Sequence, residues 1–174
     1  MLNHPVILET QSLHWPDESS CAACAQALAA APQLREACIE LHGTLGAGKT
    51  TLVRHLLRAM GVTGRIKSPS YAIVETYDLP DCTVWHFDFY RFADPREWED
   101  AGFRELFAGP GLKLVEWPDK AEGLLPVPDL RIHLDILPDE SRAVRLDAAT
   151  PLGVALLSAL QPSITDRPHA ATPP

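Results

Sequence analysis

The chain has 174 residues, enough for one domain with a proper core and short for two, and its 46% apolar and 22% charged content is ordinary for a globular protein. No apolar stretch approaches the ~18 residues that a membrane-spanning helix needs, and "MLNHPVILET" lacks a basic region followed by an apolar core; no membrane role and no secretory signal are expected, and the cytoplasm is the expected location. A net charge of −8 argues against direct, tight nucleic-acid binding as the main role, because phosphates are gripped by a basic surface.

Residues 19–31 are rich in helix formers, with Asp17 as the N-cap and Pro32 ending the run. This helix contains Cys21-Ala-Ala-Cys24, which reads as two small residues in an alanine-rich helix. A zinc site would want a second ligand pair at similar spacing, and Cys38 and Cys82 do not supply one. Residues 38–42 read as a short strand. After a glycine-rich stretch, Leu52, Val53, Leu56, Leu57 and Met60 fall on one helical face that Gly61 stops.

Strands are expected over 71–77 and 83–89. In the second, Trp85, Phe87 and Phe89 face one way, and Val84, His86 and Asp88 the other. Asp94, Pro95 and Glu97 start a helix expected to continue through Trp98 towards Phe107, and Gly109-Pro110-Gly111 breaks it. A strand over 112–117 stops at Pro118. Two strands over 130–136 and 143–148 form a hairpin with 138–141 as its turn, and 154–160 reads as a closing helix. Residues 1–160 are expected to form a single domain, and 161–174 a disordered proline-rich tail. Strands and helices alternate early and strands dominate late. The expected fold is therefore α/β: a sheet parallel in its first part, with antiparallel strands added and helices on both faces.

The stretch from Gly43 to Thr50, G-T-L-G-A-G-K-T, matches the phosphate-binding pattern G-x-x-x-x-G-K-[ST], between a strand and a helix as that pattern requires. Glycines let the backbone curl until several N–H groups aim at one anion, and the helix start adds the positive end of its dipole. Lys49 would reach the β- and γ-phosphates, and the Thr50 hydroxyl can meet Mg²⁺. Hydrolysis also needs a carboxylate near the metal and a group that orients water. Asp88 and Glu116 each end a strand, where an open parallel sheet puts its ligand site. The pattern does not decide which of them meets the metal. Ser68 and Ser70 in "KSPSY" offer hydroxyls where such proteins often carry a γ-phosphate-sensing loop; the alternative is a plain Ser-Pro turn.

"LHGTLGAGKTTLVR", "KSPSY", "HFDFYR" and "LVEWPDK" occur in that order, and the set resembles the bacterial TsaE (YjeE) family of small P-loop ATPases. The resemblance covers roughly residues 17–160. It implies a P-loop NTPase-like fold, ATP and Mg²⁺ as cofactors, and a role in forming the threonylcarbamoyl group on adenosine 37 of tRNA. The partners implied are the TsaD and TsaB proteins, which the ATPase would bind and reset, with tRNA met only through that complex.

Carried over residue by residue, the resemblance makes Thr50 and Glu116 the metal ligands. Leu45, Gly46, Ala47, Gly48, Lys49 and Thr51 join Thr50 around the phosphates. Asp88 sits near the γ-phosphate, either as water-orienting base or as outer-shell partner of the metal, with Lys49 as the second catalytic residue, and Ser68 and Ser70 belong to a switch-like loop. The family's D-x-Y-R run matches Tyr90 and Arg91 without separating structural from functional roles. This chain has Ser70 where the family usually has threonine, and Thr44 where aspartate is frequent. Cys21 stands where a threonine commonly contacts nucleotide, although cysteine is a poor hydrogen-bond donor. Arg142 corresponds to a late arginine in the family's hairpin. The rivals are a GTPase, for which no N-K-x-D run exists, a small-molecule kinase, whose arginine-rich lid is not matched by Arg96 and Arg104 alone, and a nucleotide sensor that does not hydrolyse.

Overall fold

A computed structural model describes residues 5–69 and 71–161. Seven strands form one sheet: β1 (Glu9–Trp15), β2 (Cys38–His42), β3 (Val74–Asp78), β4 (Thr83–Asp88), β5 (Leu112–Glu116), β6 (Leu130–Ile136) and β7 (Arg142–Ala148). Their order across the sheet is β1-β7-β6-β2-β5-β4-β3. The four central strands, β6, β2, β5 and β4, run parallel. β3 pairs antiparallel with β4 at one margin, and at the other β7 pairs antiparallel with both β6 and β1. The expected α/β sheet with a parallel part and antiparallel additions is present, but the parallel part includes the late strand β6 and excludes the early strand β3.

Among the described residues five α-helices pack on the sheet: α1 (Glu18–Ala30), α2 (Lys49–Ala59), α3 (Pro95–Asp100), α4 (Phe103–Ala108) and α5 (Pro151–Leu160). Both faces carry helices, over cores of different chemistry. On the α1, α2 and α5 side the core is aliphatic, built from residues such as Leu28, Leu41, Leu57, Leu114, Leu146 and Leu157. On the α3 and α4 side Phe87, Phe89, Phe92, Trp98 and Phe103 pack together with Phe107. The period-2 alternation of β4 makes this division possible: Phe87 enters the aromatic cluster, Val84 the aliphatic one. Opposite the aliphatic core, β2, β6 and β7 display Glu40, His42, Arg131, His133, Arg145 and Asp147 along a broad cleft.

Local signals account for most boundaries. The Asp17 carboxylate accepts from the Ser20 N–H and caps α1; Asp94 does the same for α3 from Arg96, and the Thr150 hydroxyl caps α5 from Gly153. Several expectations change, among them the strand expected over 83–89, which ends at Asp88, and the closing helix, which begins already at Pro151. β1 has no counterpart in the sequence reading: of its inward-facing residues Glu9, Gln11, Leu13 and Trp15, only two are apolar, and as an edge strand it needs only β7 as partner. The helix expected from Pro95 towards Phe107 is interrupted at Gly102, whose left-handed backbone (φ 68°) glycine adopts freely. Residues 71–73 form a turn, so β3 begins only at Val74. The 112–117 strand ends one residue early, because Trp117 has a left-handed backbone (φ 54°). Residues 162–174 of the expected tail lie outside the described residues.

Candidate functional site

The glycine loop joins β2 to α2 at the carboxyl ends of the parallel strands. Gly43 passes so close to β6 that a Cβ there would sit 2.7 Å from the Leu134 carbonyl oxygen, so only glycine fits. Gly46 (φ 81°) and Gly48 (φ 111°) have open space around them. Their requirement is conformational: a left-handed turn that L-residues with side chains resist. The loop closes with the Ala47 N–H on the Thr44 carbonyl at 3.0 Å, and α2 begins with Leu52 N–H on the Gly48 carbonyl at 2.9 Å.

Lys49, at the first position of α2, turns back along the loop. Its ammonium donates to the carbonyl oxygens of Gly43 and Thr44, and it lies 4.0 Å from the centre of the Trp117 ring. Burial lowers its pKa, and the carboxylates of Glu116, Asp88 and Asp119 act in the opposite direction. One residue later, the Thr50 hydroxyl donates to Glu116 Oε1 at 2.8 Å. The other oxygen of Glu116 lies 2.6 Å from His86 Nε2. Glu116 and His86 are both almost wholly buried, at 2% and 1% exposure.

The sheet register sets this geometry. Asp88 is directly opposite Glu116 on the neighbouring parallel strand, and Leu41 is opposite Glu116 on its other side, two residues before the loop. Both carboxylates therefore reach the level of Lys49 and Thr50. Their surroundings differ. Glu116 has each oxygen engaged by a side chain, whereas among the described residues Asp88 accepts only the Tyr90 N–H at 3.0 Å. Burial raises the Asp88 pKa, and the nearby Glu116 charge adds to the rise.

A cleft of about 290 Å³ gathers most of the residues singled out in the sequence: Leu45, Gly46, Ala47, Gly48, Lys49, Thr50 and Thr51 from the loop and helix, with Ser68, Asp88 and Glu116 facing them. Tyr90 and Arg91 also line it, and Arg91 stacks on Tyr71 at 4.5 Å. Ser70 lies outside the described residues. Two of the candidates are elsewhere. Cys21 and Arg142 line a second cleft, of about 210 Å³, that shares Ala47, Gly48 and Thr51 with the first. Arg142 Nε donates to the Ala47 carbonyl at 2.7 Å and Nη2 to the Gly46 carbonyl at 3.4 Å, so this guanidinium braces the loop from behind. The Cys21 thiol is pushed up to about 11 by burial, with Glu18 adding to the effect, and stays protonated at neutral pH. Cys21 and Cys24 are both free and both belong to the aliphatic core.

Sequence reasoning gave no role to His86 or Trp117. The signal for His86 was its position on the Asp88 face of β4. Trp117 carried none, because its contact with Lys49 depends on a left-handed backbone that the sequence does not announce.

Mg²⁺ favours hard oxygen ligands and usually takes only one or two from the protein, the rest coming from phosphates and water. The Thr50 hydroxyl and the Glu116 carboxylate fit that donor set. Among the described residues no group of three His, Cys, Asp or Glu side chains is arranged to hold a metal alone.

A curled glycine loop between a parallel strand and a helix, with a buried lysine behind it and carboxylates at the neighbouring strand ends, defines a P-loop nucleotide-binding protein. The sequence model of the threonylcarbamoyl adenosine biosynthesis protein TsaE matches residues 15–144. The chain belongs to the TsaE family. It is similar to the tRNA threonylcarbamoyladenosine biosynthesis protein TsaE of Haemophilus influenzae, at 43% identity over 121 residues, covering 70% of this chain and 76% of that protein. The protein of the same name from Bacillus subtilis is 36% identical over 110 residues, covering 63% and 68%. The crystal structure of Bacillus subtilis YdiB superimposes with a TM-score of 0.76 at 26% identity, covering 92% of this chain and 99% of that one.

Proposed function

We propose that this protein is a Mg²⁺-dependent ATPase in the formation of the threonylcarbamoyl group on adenosine 37 of tRNA. It acts in the cytoplasm by binding and resetting the TsaD–TsaB complex, and meets tRNA only through that complex. The observation that carries the ATPase reading is the convergence of Lys49, Thr50, Glu116 and Asp88 on one cleft against the glycine loop. Family membership carries the pathway.

In this reading, backbone N–H groups from Leu45 to Gly48 and the Lys49 ammonium hold the phosphates. Lys49 now rests on carbonyl oxygens of its own loop and on Trp117, contacts it can exchange for the stronger charge-assisted bonds to an anion. Bound Mg²⁺ would neutralise phosphate charge, with Thr50 and Glu116 as its protein partners. Asp88 is the better-placed group to orient water. Its carboxylate lines the cleft with one backbone partner and a raised pKa, while Glu116 already has a hydrogen bond on each oxygen. The nucleoside lies in the second cleft, beside Cys21 and behind the loop that Arg142 braces.

The test is ATP hydrolysis by the chain alone and with the TsaD–TsaB pair, alongside capture of that pair with and without ATP. Nucleotide-dependent capture with hydrolysis stimulated by the pair is the expected result. Binding of ATP with no hydrolysis under any of these conditions would identify a sensor instead.

A further inference from the structure

We infer that His86 is a positioning residue for the metal site: it fixes the orientation of the Glu116 carboxylate, and through it sets how strongly Mg²⁺ enhances nucleotide binding. The inference rests on the nucleotide-binding function proposed above. The His86 side chain lines neither the loop cleft nor the cleft behind it.

His86 sits in the middle of β4, on the face directed at the aliphatic core, with Leu114 of β5 as its cross-strand partner and Val84 preceding it on that face. Its neighbours on that face are aliphatic. The imidazole is 1% exposed, and its two nitrogens are treated unequally. Nε2 lies 2.6 Å from Glu116 Oε2, while Nδ1 is buried with no partner among the described residues. Burying a polar atom unpaired opposes folding, so a histidine serving only to fill space would be expected to satisfy both nitrogens or to be replaced.

The arrangement makes sense in the tautomer with hydrogen on Nε2. A carboxylate can only accept, so Nε2–H points at it, and the atom left alone in apolar surroundings is a bare lone pair rather than a second N–H. Glu116 then has both oxygens fixed, Oε2 by His86 and Oε1 by the Thr50 hydroxyl at 2.8 Å. Two bonds from opposite ends lock the plane of the carboxylate. With only the Thr50 bond, the group could turn about its last side-chain torsion, which is soft, and Oε2 would be left unpaired in the core. His86 thus stands to Glu116 as an outer-shell partner stands to a metal ligand, and loss of such partners typically weakens metal binding about 10–100-fold.

The experiment uses the full chain as wild type, His86→Gln and His86→Leu. ATP affinity is measured by calorimetry in EDTA and again in Mg²⁺. A glutamine amide can bring an N–H near the position of imidazole Nε2, and leucine cannot. Affinities in EDTA should agree within about twofold, as for changes that touch no ligand. The gain on adding Mg²⁺ should survive in His86→Gln and shrink about 10-fold or more in His86→Leu. A full Mg²⁺ gain in His86→Leu overturns the proposal, and so does an equal loss in EDTA and in Mg²⁺. If the wild type shows no Mg²⁺ gain, the metal-nucleotide function itself falls and this role with it. If the wild type gains and His86→Leu gains equally, only the role of His86 falls. Should His86→Leu not fold, the ring ¹⁵N spectrum of the wild type, assigned against His86→Gln, decides. Hydrogen on Nε2 is the expected tautomer, and hydrogen on Nδ1 overturns the proposal.

Discussion

The cleft on the Lys49 side of the glycine loop and the cleft on its Arg142 side share Ala47, Gly48 and Thr51 as a common wall, yet their remaining walls differ in kind. The first is closed by the ends of β4 and β5, two central parallel strands whose register puts Asp88 beside Glu116. The second is closed by the end of the edge strand β1, the first turn of α1 and the β6–β7 hairpin, through Trp15, Cys21, Glu140 and Arg142. Central strands are held by ladders on both sides and by a core on each face. Edge strands and hairpin tips are held on one side. The first cleft is therefore a rigid constellation in which each polar group depends on its neighbours, and the second is a looser wall that tolerates change. Substitutions should sort accordingly.

The largest effect is expected from Lys49→Ala, which removes the buried ammonium that lines the first cleft. Its ammonium makes charge-assisted contacts worth about 1.5–3 kcal/mol each, so ATP affinity should fall about 100-fold or more with or without Mg²⁺. Titration calorimetry reads this directly, and unchanged affinity would remove the first cleft as the phosphate site.

Glu116→Ala comes next and discriminates between metal and phosphate. It should weaken ATP binding in Mg²⁺ about 10-fold or more while leaving binding in EDTA nearly intact. It also leaves the buried His86 Nε2 without its partner, so thermal stability should fall. Equal loss in both buffers would count against a metal role.

Asp88→Asn should leave ATP affinity within a few-fold and cut hydrolysis about 100-fold or more, the usual scale for a lost general base. Stability should move the other way. The folded-state pKa of Asp88 is raised by burial, so its ionisation opposes folding at neutral pH. As pH falls through the raised folded-state value towards the ordinary carboxylate value, the folded protein takes up the proton first and this penalty disappears. Asp88→Asn should accordingly melt higher than wild type at pH 7, and the difference should narrow as the solution is acidified. Scanning calorimetry across that range checks the sign.

The same contrast explains what could be read from the sequence. The glycine loop was legible because its chemistry is local: eight consecutive residues determine the curl, the lysine and the hydroxyl. The strand ends Asp88 and Glu116 were legible as candidates because each closes an apolar run. Their division of labour was not, since it depends on a register between strands 28 residues apart and on a histidine from a third position. β1 escaped notice because its inward face carries Glu9 and Gln11 beside Leu13 and Trp15, and with it went the outer wall of the second cleft. Cys21 and Arg142 were reached only through resemblance to the family, since nothing in their own neighbourhood points to a ligand. Arg142 proved to hold the loop carbonyls of Gly46 and Ala47, a contact between residues 95 and 96 positions apart that no local pattern encodes.

The smallest effect is expected from Cys21→Thr, which tests whether the second cleft contributes to recognition at all. The Cys21 thiol is protonated at neutral pH, with burial pushing its pKa to about 11, and a thiol is a weak donor. Threonine would put a hydroxyl of comparable size at the same wall, where it can bond a nucleoside oxygen or nitrogen. The net worth of a neutral hydrogen bond is about 0.5–1.5 kcal/mol, so ATP affinity should rise about 2- to 10-fold. That gain should be the same in EDTA and in Mg²⁺, because Cys21 lies on the far side of the loop from Thr50 and Glu116. Hydrolysis per bound ATP should not change. The substitution also places a hydroxyl where Cys21 packs against the aliphatic core, so a lower melting temperature without nucleotide should accompany tighter binding. Comparison with inorganic triphosphate makes the test specific: it fills the first cleft without a nucleoside, and its affinity should be untouched. A gain for triphosphate as large as for ATP would show that Cys21 acts on the loop itself, and the separation of the two clefts into a phosphate side and a nucleoside side would fail.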